Sequence, residues 1–375
     1  MNPRERYIAT LTFGKPDKIP FEPGGPREST LKAWHQQGLP ENEPWYPYLL
    51  RTLGIMPETT QPHIDPGIDF RMIPQFEERV LDHRNGHFIV QDWMGAIVEI
   101  SDEYDLTYLR QAKDFVTRHW HSFPVKTRTD WVEKIKWRYN PDDPLRFPSD
   151  FAERCKKLNQ RDYPLRLSLS GPFWQLREWC GFEHLCMLMI EEPQFVQEMV
   201  DFWSDFISAT LEKVVEHLEI DSLMVNEDMA YKMHSMISPA MTRHFLVPVW
   251  KRWSGVLKDK CAVYSVDSDG YIGELIPCFI EGGFKYTWPI EVAAGNDIVA
   301  FRKKYGKKIA FGGGIDKRAL AVGGETMRNE LLRVIPPLLE DGGYLPGCDH
   351  GVPPDISWDN FVDYSRFLAQ LIGWL

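Results

Sequence analysis

The chain has 375 residues, 43% of them hydrophobic and 26% charged, and its 43 Lys plus Arg against 54 Asp plus Glu give a formal net charge of −11. That is a globular balance in a chain long enough for one large core, and the acidic excess argues against nucleic acid or an anionic membrane surface as a partner, because both need a basic footprint. No apolar run approaches the ~20 residues of a spanning helix, the opening MNPRERYIATLTFGKPDKIP lacks the apolar stretch of a signal peptide, and six cysteines without CxxC spacing fit a reducing cytoplasm.

The first 160 residues are irregular. A first strand is expected at 18–21, before the turn-rich PGGP at 23–26, with a helix at 28–37. Residues 79–100 read as an inserted β-ribbon, reversed at Asn85-Gly86 and again at Met94-Gly95. Residues 128–162 carry a charged helix and the turn PDDP. From 163 the pattern becomes regular: strands are expected at 164–169, 222–225, 262–266, 284–288, 308–311 and 343–345, each followed by helical stretches, with a closing helix at 358–371. Such alternation is the signature of parallel βα units. It fits either an open doubly wound sheet or a distorted (β/α)8 TIM barrel spanning 1–375 as one α/β domain. The barrel is preferred because ionisable groups follow nearly every strand, and only a barrel brings all those ends to one rim.

Four carboxylates dominate the rim: Glu227 and Asp228 after one strand, Asp267 and Asp269 after the next. So close a group must be protonated, paired or metal-bound. Helix capping by single Asp residues is the simpler reading, but it does not require NEDM and VDSDG at two successive strand ends. Cys348-Asp349-His350 follows the last strand and offers a Zn²⁺ site or an acid–base pair, against the plain alternative of a buried thiol and a loop imidazole. GVPPD at 351–355 reads as a loop over the rim. His119-Trp120-His121 has metal-ligand spacing but no clear strand leads into it, Gly312–Gly314 lacks phosphate-loop spacing and reads as close backbone packing, and Cys180, Cys186, Met187 and Met189 read as helix packing.

The opening MNPRERYIATLTFGKPDKIPF, GPFWQLREWCGFEHLCMLMIEEPQFVQEM at 171–199, NEDMAYK at 226–232, SVDSDG at 265–270, FGGGIDKRAL at 311–320 and PGCDHGVPPDIS at 346–357 together resemble the uroporphyrinogen decarboxylase superfamily over nearly the whole chain. The resemblance implies a distorted (β/α)8 barrel, and either porphyrinogen decarboxylation or cobalamin-linked methyl transfer. The decarboxylases carry an MRQAGR-like stretch where this chain has PGGPREST, with Arg27 as its only arginine. The zinc methyltransferases carry HxCG where this chain has Asp267-Ser268-Asp269-Gly270, and Cys348 and Glu227 stand at positions where those enzymes place ligands. The resemblance therefore implies Glu227, Asp267 and Cys348 as candidate ligands of a divalent metal such as Zn²⁺, in a set rich enough in oxygen to favour a harder cation.

The expected activity is a methyltransferase of the O-demethylating kind, moving methyl from a small methylated substrate, such as a methoxylated aromatic, to a corrinoid (cobalamin) carried by a partner protein. Glu227, Asp267, Asp269 and His350 are the expected catalytic groups, and Arg27, Trp174, Asp228 and Tyr231 the expected substrate contacts. The alternatives are a decarboxylase using Arg27, Arg177 and Lys232, and a non-catalytic barrel that binds a corrinoid or a protein. The superfamily also implies a homodimer.

Overall fold

The computed structural model describes residues 1–58, 61–110, 114 and 116–375. It contains two sheets. An antiparallel meander is built from β1 (Arg79–Arg84), β2 (His87–Gln91), β3 (Ile97–Ser101) and β4 (His119–Ser122). A parallel sheet holds β5 (Arg166–Ser170), β6 (Ile220–Asn226), β7 (Cys261–Asp267), β8 (Tyr286–Ile290), β9 (Ala310–Ile315) and β10 (Tyr344–Cys348), side by side in chain order. Helices cover its outer face, giving an α/β barrel of the TIM type with six hydrogen-bonded strands.

The expected strand at 18–21 does not form. Pro16, Pro20, Pro23 and Pro26 remove amide donors from this stretch, so it cannot sustain a ladder. It instead runs extended beside β10 and offers carbonyls: Cys348 N–H donates to Pro23 O at 3.1 Å and Val352 N–H to Gly25 O at 2.9 Å. On its other side Arg166 of β5 reaches Glu22, so side chains complete the circle there.

The ribbon reversal at Asn85-Gly86 is present, with φ of 52° and 75°, the left-handed pair that a two-residue hairpin needs. The second reversal is organised by Asp92, whose carboxylate accepts from Met94 and Ala96 N–H at 2.9 Å each. Contrary to expectation, His119-Trp120-His121 lies on a strand, the exposed β4, where His121 Nε2 meets Glu99 at 2.8 Å. The ribbon is thus a four-stranded sheet, one strand more than its two expected reversals give.

The lower end of the barrel is closed by the helix Pro3–Leu11. Asn2 and Glu5 cap it reciprocally and a proline starts it, and it presses Tyr7 and Leu11 against Val263, Tyr286, Ala310 and Leu345. The main core lies between sheet and helices. Six tryptophans (Trp34, Trp131, Trp179, Trp203, Trp250 and Trp253) are fully buried there, so much of the aromatic richness serves packing. Among the described residues no helix is long and apolar enough to cross a membrane.

Candidate active site

Strand register assigns the barrel interior. Ser170, Asn226, Asp267 and Trp288 are partners in successive strands, so their side chains share one face and one level. Two residues lower stand Ser168, Met224, Ser265 and Tyr286, and below them Arg166, Ser222 and Val263. A cavity of about 790 Å³ is lined by Arg166, Ser168, Met224, Tyr286 and Trp288 from this face, and by His350 at its upper end. The face is therefore interior, and Asp267 belongs to its top level.

Above that level the loops after β6, β7 and β10 meet. Asp269 Oδ2 lies 3.2 Å from His350 Nε2. Asp228 sits in the left-handed region at φ 39°, which a non-glycine residue adopts only when its surroundings hold it there. Arg177 supplies the hold: Nη1 donates to Asp228 O at 2.8 Å and Nη2 to Oδ2 at 3.0 Å, while its guanidinium lies 4.6 Å from the centre of the Trp174 ring.

Burial, followed by the charges of Asp269 and Asp228, raises the Asp267 pKa to about 8, with no hydrogen bond among the described residues to favour the ionised form. Asp228 is raised by burial too, against the pull of Arg177. Burial would lower the pKa of His350, but the Asp269 hydrogen bond and charge outweigh it and leave the value above the ordinary one. The imidazolium thus persists to higher pH than in a free histidine. An NMR titration is expected to show that upward displacement, and Asp269→Asn to reverse it while leaving the burial effect.

A second tier supports the His350 loop. Lys317 Nζ lies 2.9 Å from Glu291 and 3.9 Å from Asp349. Glu291 accepts from Gly270 N–H at 3.2 Å and Asp349 from Val292 N–H at 2.9 Å. Lys317 thereby ties the ends of β7, β8 and β10 together. Its place directly after the strand-ending Ile315-Asp316 was the available signal, and sequence reasoning passed over it.

Several expected roles change. Glu227 is fully buried. Its Oε2 accepts from Phe173 and Trp174 N–H at 3.0 and 3.2 Å and its Oε1 from Trp250 Nε1 at 2.7 Å, so it anchors a helix start and does not face the cavity. Cys348 is buried, with its thiol pKa pushed up to about 12 chiefly by burial. Among the described residues no three His, Cys, Asp or Glu side chains converge as metal ligands, and the set Glu227, Asp267, Cys348 does not fit a metal, since Glu227 is already engaged on both oxygens. Arg27 starts the helix Glu28–Gln36, and its N–H donates to Val352 O at 3.3 Å. It is not among the cavity-lining residues, nor are Trp174, Asp228, Tyr231, Asp267 and Asp269, whereas His350 is, and Tyr231 and Lys232 stand exposed on the loop after β6. Gly312 does pack closely: a Cβ there would fall on the Tyr286 hydroxyl. Cys180 and Met189 are core residues, whereas Met187 is exposed.

Residues 123–366 match the family model for uroporphyrinogen decarboxylase (URO-D). The chain belongs to the URO-D family. Within it, the chain is similar to a uroporphyrinogen decarboxylase of Ruthia magnifica subsp. Calyptogena magnifica, at 21% identity over 245 residues covering 63% of this chain and 68% of that one. Its fold is similar to that of a methyltransferase from Methanosarcina mazei, with a TM-score of 0.59, 13% identity, and coverage of 99% of this chain and 98% of that one. At that identity the likeness is one of fold. The URO-D family is one of enzymes, and its barrel agrees with the strand order described above.

Proposed function

We propose that this URO-D family member is a methyltransferase that takes a methyl group from a small methylated substrate, such as a methoxylated aromatic, and passes it to the corrinoid of a separate carrier protein. The observation that carries the reading is the placement of Asp267, its pKa raised to about 8, on the interior strand face at the level of Trp288, which lines an aromatic cavity where Arg6 and Arg166 each stand beside a carboxylate. Demethylation of an ether needs an acid for the departing oxygen. The methyl–oxygen bond breaks, the oxygen keeps the electron pair and takes the Asp267 proton, and the methyl carbon passes to an electron pair on the acceptor. A corrinoid supplies that nucleophile when its carrier docks. Burial first, then the charges of Asp269 and Asp228, keep Asp267 protonated against the opposing charge of His350. The methyltransferase fold of the Methanosarcina mazei protein supports this reading.

Decarboxylation of a substrate with many carboxylates is the weaker reading. It needs several uncommitted cations. Here Arg6 is held by Asp17 and Glu58 and Arg177 by Asp228, while Arg166 is shared with Glu22 and has only its Nε edge to offer.

The test mixes the protein with a reduced corrinoid carrier protein and a panel of methoxylated aromatics, following corrinoid absorbance and the demethylated phenol. Stoichiometric phenol with a matching absorbance change is expected for at least one donor. No phenol from any donor, together with CO₂ release from uroporphyrinogen, would replace the reading with decarboxylation.

A further inference from the structure

Two guanidinium groups line the cavity, and they differ in what they have left to offer. Arg6 is 3% exposed. Its Nε and Nη2 donate to Asp17 at 2.8 and 2.9 Å, Nη2 also to Met1 O at 2.8 Å, and Nη1 to Glu58. Arg166 has a side chain 44% exposed, although it stands at the lowest interior level, and it lines the cavity. Of its five N–H donors, one on Nη1 meets Glu22 Oε2 at 3.0 Å and one on Nη2 meets Glu22 Oε1. Among the described residues its Nε edge has no hydrogen-bond acceptor.

We propose that the lower end of the cavity is a carboxylate-binding subsite in which the Nε edge of Arg166 anchors an aromatic carboxylic acid. A guanidinium can accept one carboxylate end-on and a second side-on, each through two parallel hydrogen bonds. Glu22 occupies the end-on position, so the side-on position is what a ligand can take. The Arg166–Glu22 pair is neutral overall, and Glu58, which borders the same space, is held by Arg6 and Lys18. A single negative charge is admitted there and a dianionic phosphate is disfavoured.

The rest of the ligand follows from the walls. Tyr46, Tyr286 and Trp288 line the same cavity as Arg166 and His350, and flat aromatic walls favour a flat aromatic body. Arg166 and the Asp267 level are four strand residues apart, ~13 Å at the rise of a parallel strand. With the Arg166 side chain taking up part of that span, one substituted ring bridges it, carboxylate down and reacting group up. This assignment deepens the proposed function and rests on it only in taking the cavity as the substrate site.

Isothermal titration calorimetry with benzoate, benzamide and 4-methoxybenzoate tests it on the intact protein. Both acids are expected to bind at least ten-fold more tightly than benzamide, and Arg166→Gln to abolish that preference. Glu22→Gln breaks the same ion pair and disturbs the barrel seam equally, yet it removes a competing negative charge, so benzoate affinity is expected to rise several-fold. The opposite signs separate ligand contact from damage to the fold. Equal affinity for benzoate and benzamide, or a fall in benzoate affinity in both variants, would overturn the proposal. Benzoate carries no methyl group. Acid-selective binding without methyl transfer to any acceptor would therefore remove the transferase reading and leave the subsite standing.

Discussion

Asp267→Asn is expected to lower the rate of demethylation by about 10²–10⁴-fold, the range for loss of a positioned general acid, with a much smaller change in substrate affinity. The carboxyl works in its protonated form. Burial and the charges of Asp269 and Asp228 raise its pKa to about 8, so the acid is mostly intact at pH 7 and is lost as pH rises through about 8. Initial rates between pH 6 and 9 should show that alkaline limb in the native enzyme and none in Asp267→Asn. Asp269→Asn removes one of the repelling charges, so Asp267 should ionise earlier and the limb move to lower pH. A limb that survives unchanged in Asp267→Asn would assign the proton to another group, with His350 the first to consider.

The parallel half of the fold was readable because each short strand ends in a polar loop and is followed by a helix. All six expected strands between 163 and 345 correspond to β5–β10. The strand expected at 18–21 failed for a reason visible in the sequence, the four prolines between 16 and 26, whose missing donors outweigh the local β pattern. β4 was missed because HWHS is largely exposed and shows no apolar alternation.

The rim was legible in part. Position at or just after a strand end placed Asp267, Asp269 and His350 at the C-terminal face of the sheet, where Asp269 and His350 meet. It could not separate Glu227 from Asp228, which follow the same strand but turn to different neighbours. Arg166 was overlooked although Arg166-Leu167-Ser168-Leu169-Ser170 alternates polar and apolar residues. In a strand covered by helices on one side, that alternation points the polar set into the barrel.

The reassignment of Glu227 leads to the largest expected effect on stability. The helix Pro172–Cys180 begins at Gly171, which has no side chain to cap it, and the first amides of a helix lack intrahelical acceptors. Glu227 supplies the acceptor for two of them, Phe173 and Trp174, and for the indole N–H of Trp250. Glu227→Ala strands three donors, two of them buried and the Trp174 N–H half-buried, each costing about 1–3 kcal/mol when buried and unsatisfied, and opens a cavity besides. We expect a loss of about 3–5 kcal/mol by urea unfolding, the lower end if water enters to replace the carboxylate. Gly171→Ala is expected to be destabilising as well, because its Cβ would lie 2.1 Å from Glu227 Cδ, and overpacking of this kind costs about 1–3 kcal/mol. The double variant decides between anchor and bystander. With the carboxylate gone the new methyl has room, so Gly171→Ala should cost little in the Glu227→Ala background, and the two effects should fall short of their sum by about 1 kcal/mol or more. Full additivity would mean that the two residues do not share the packed contact on which the structural role of Glu227 depends.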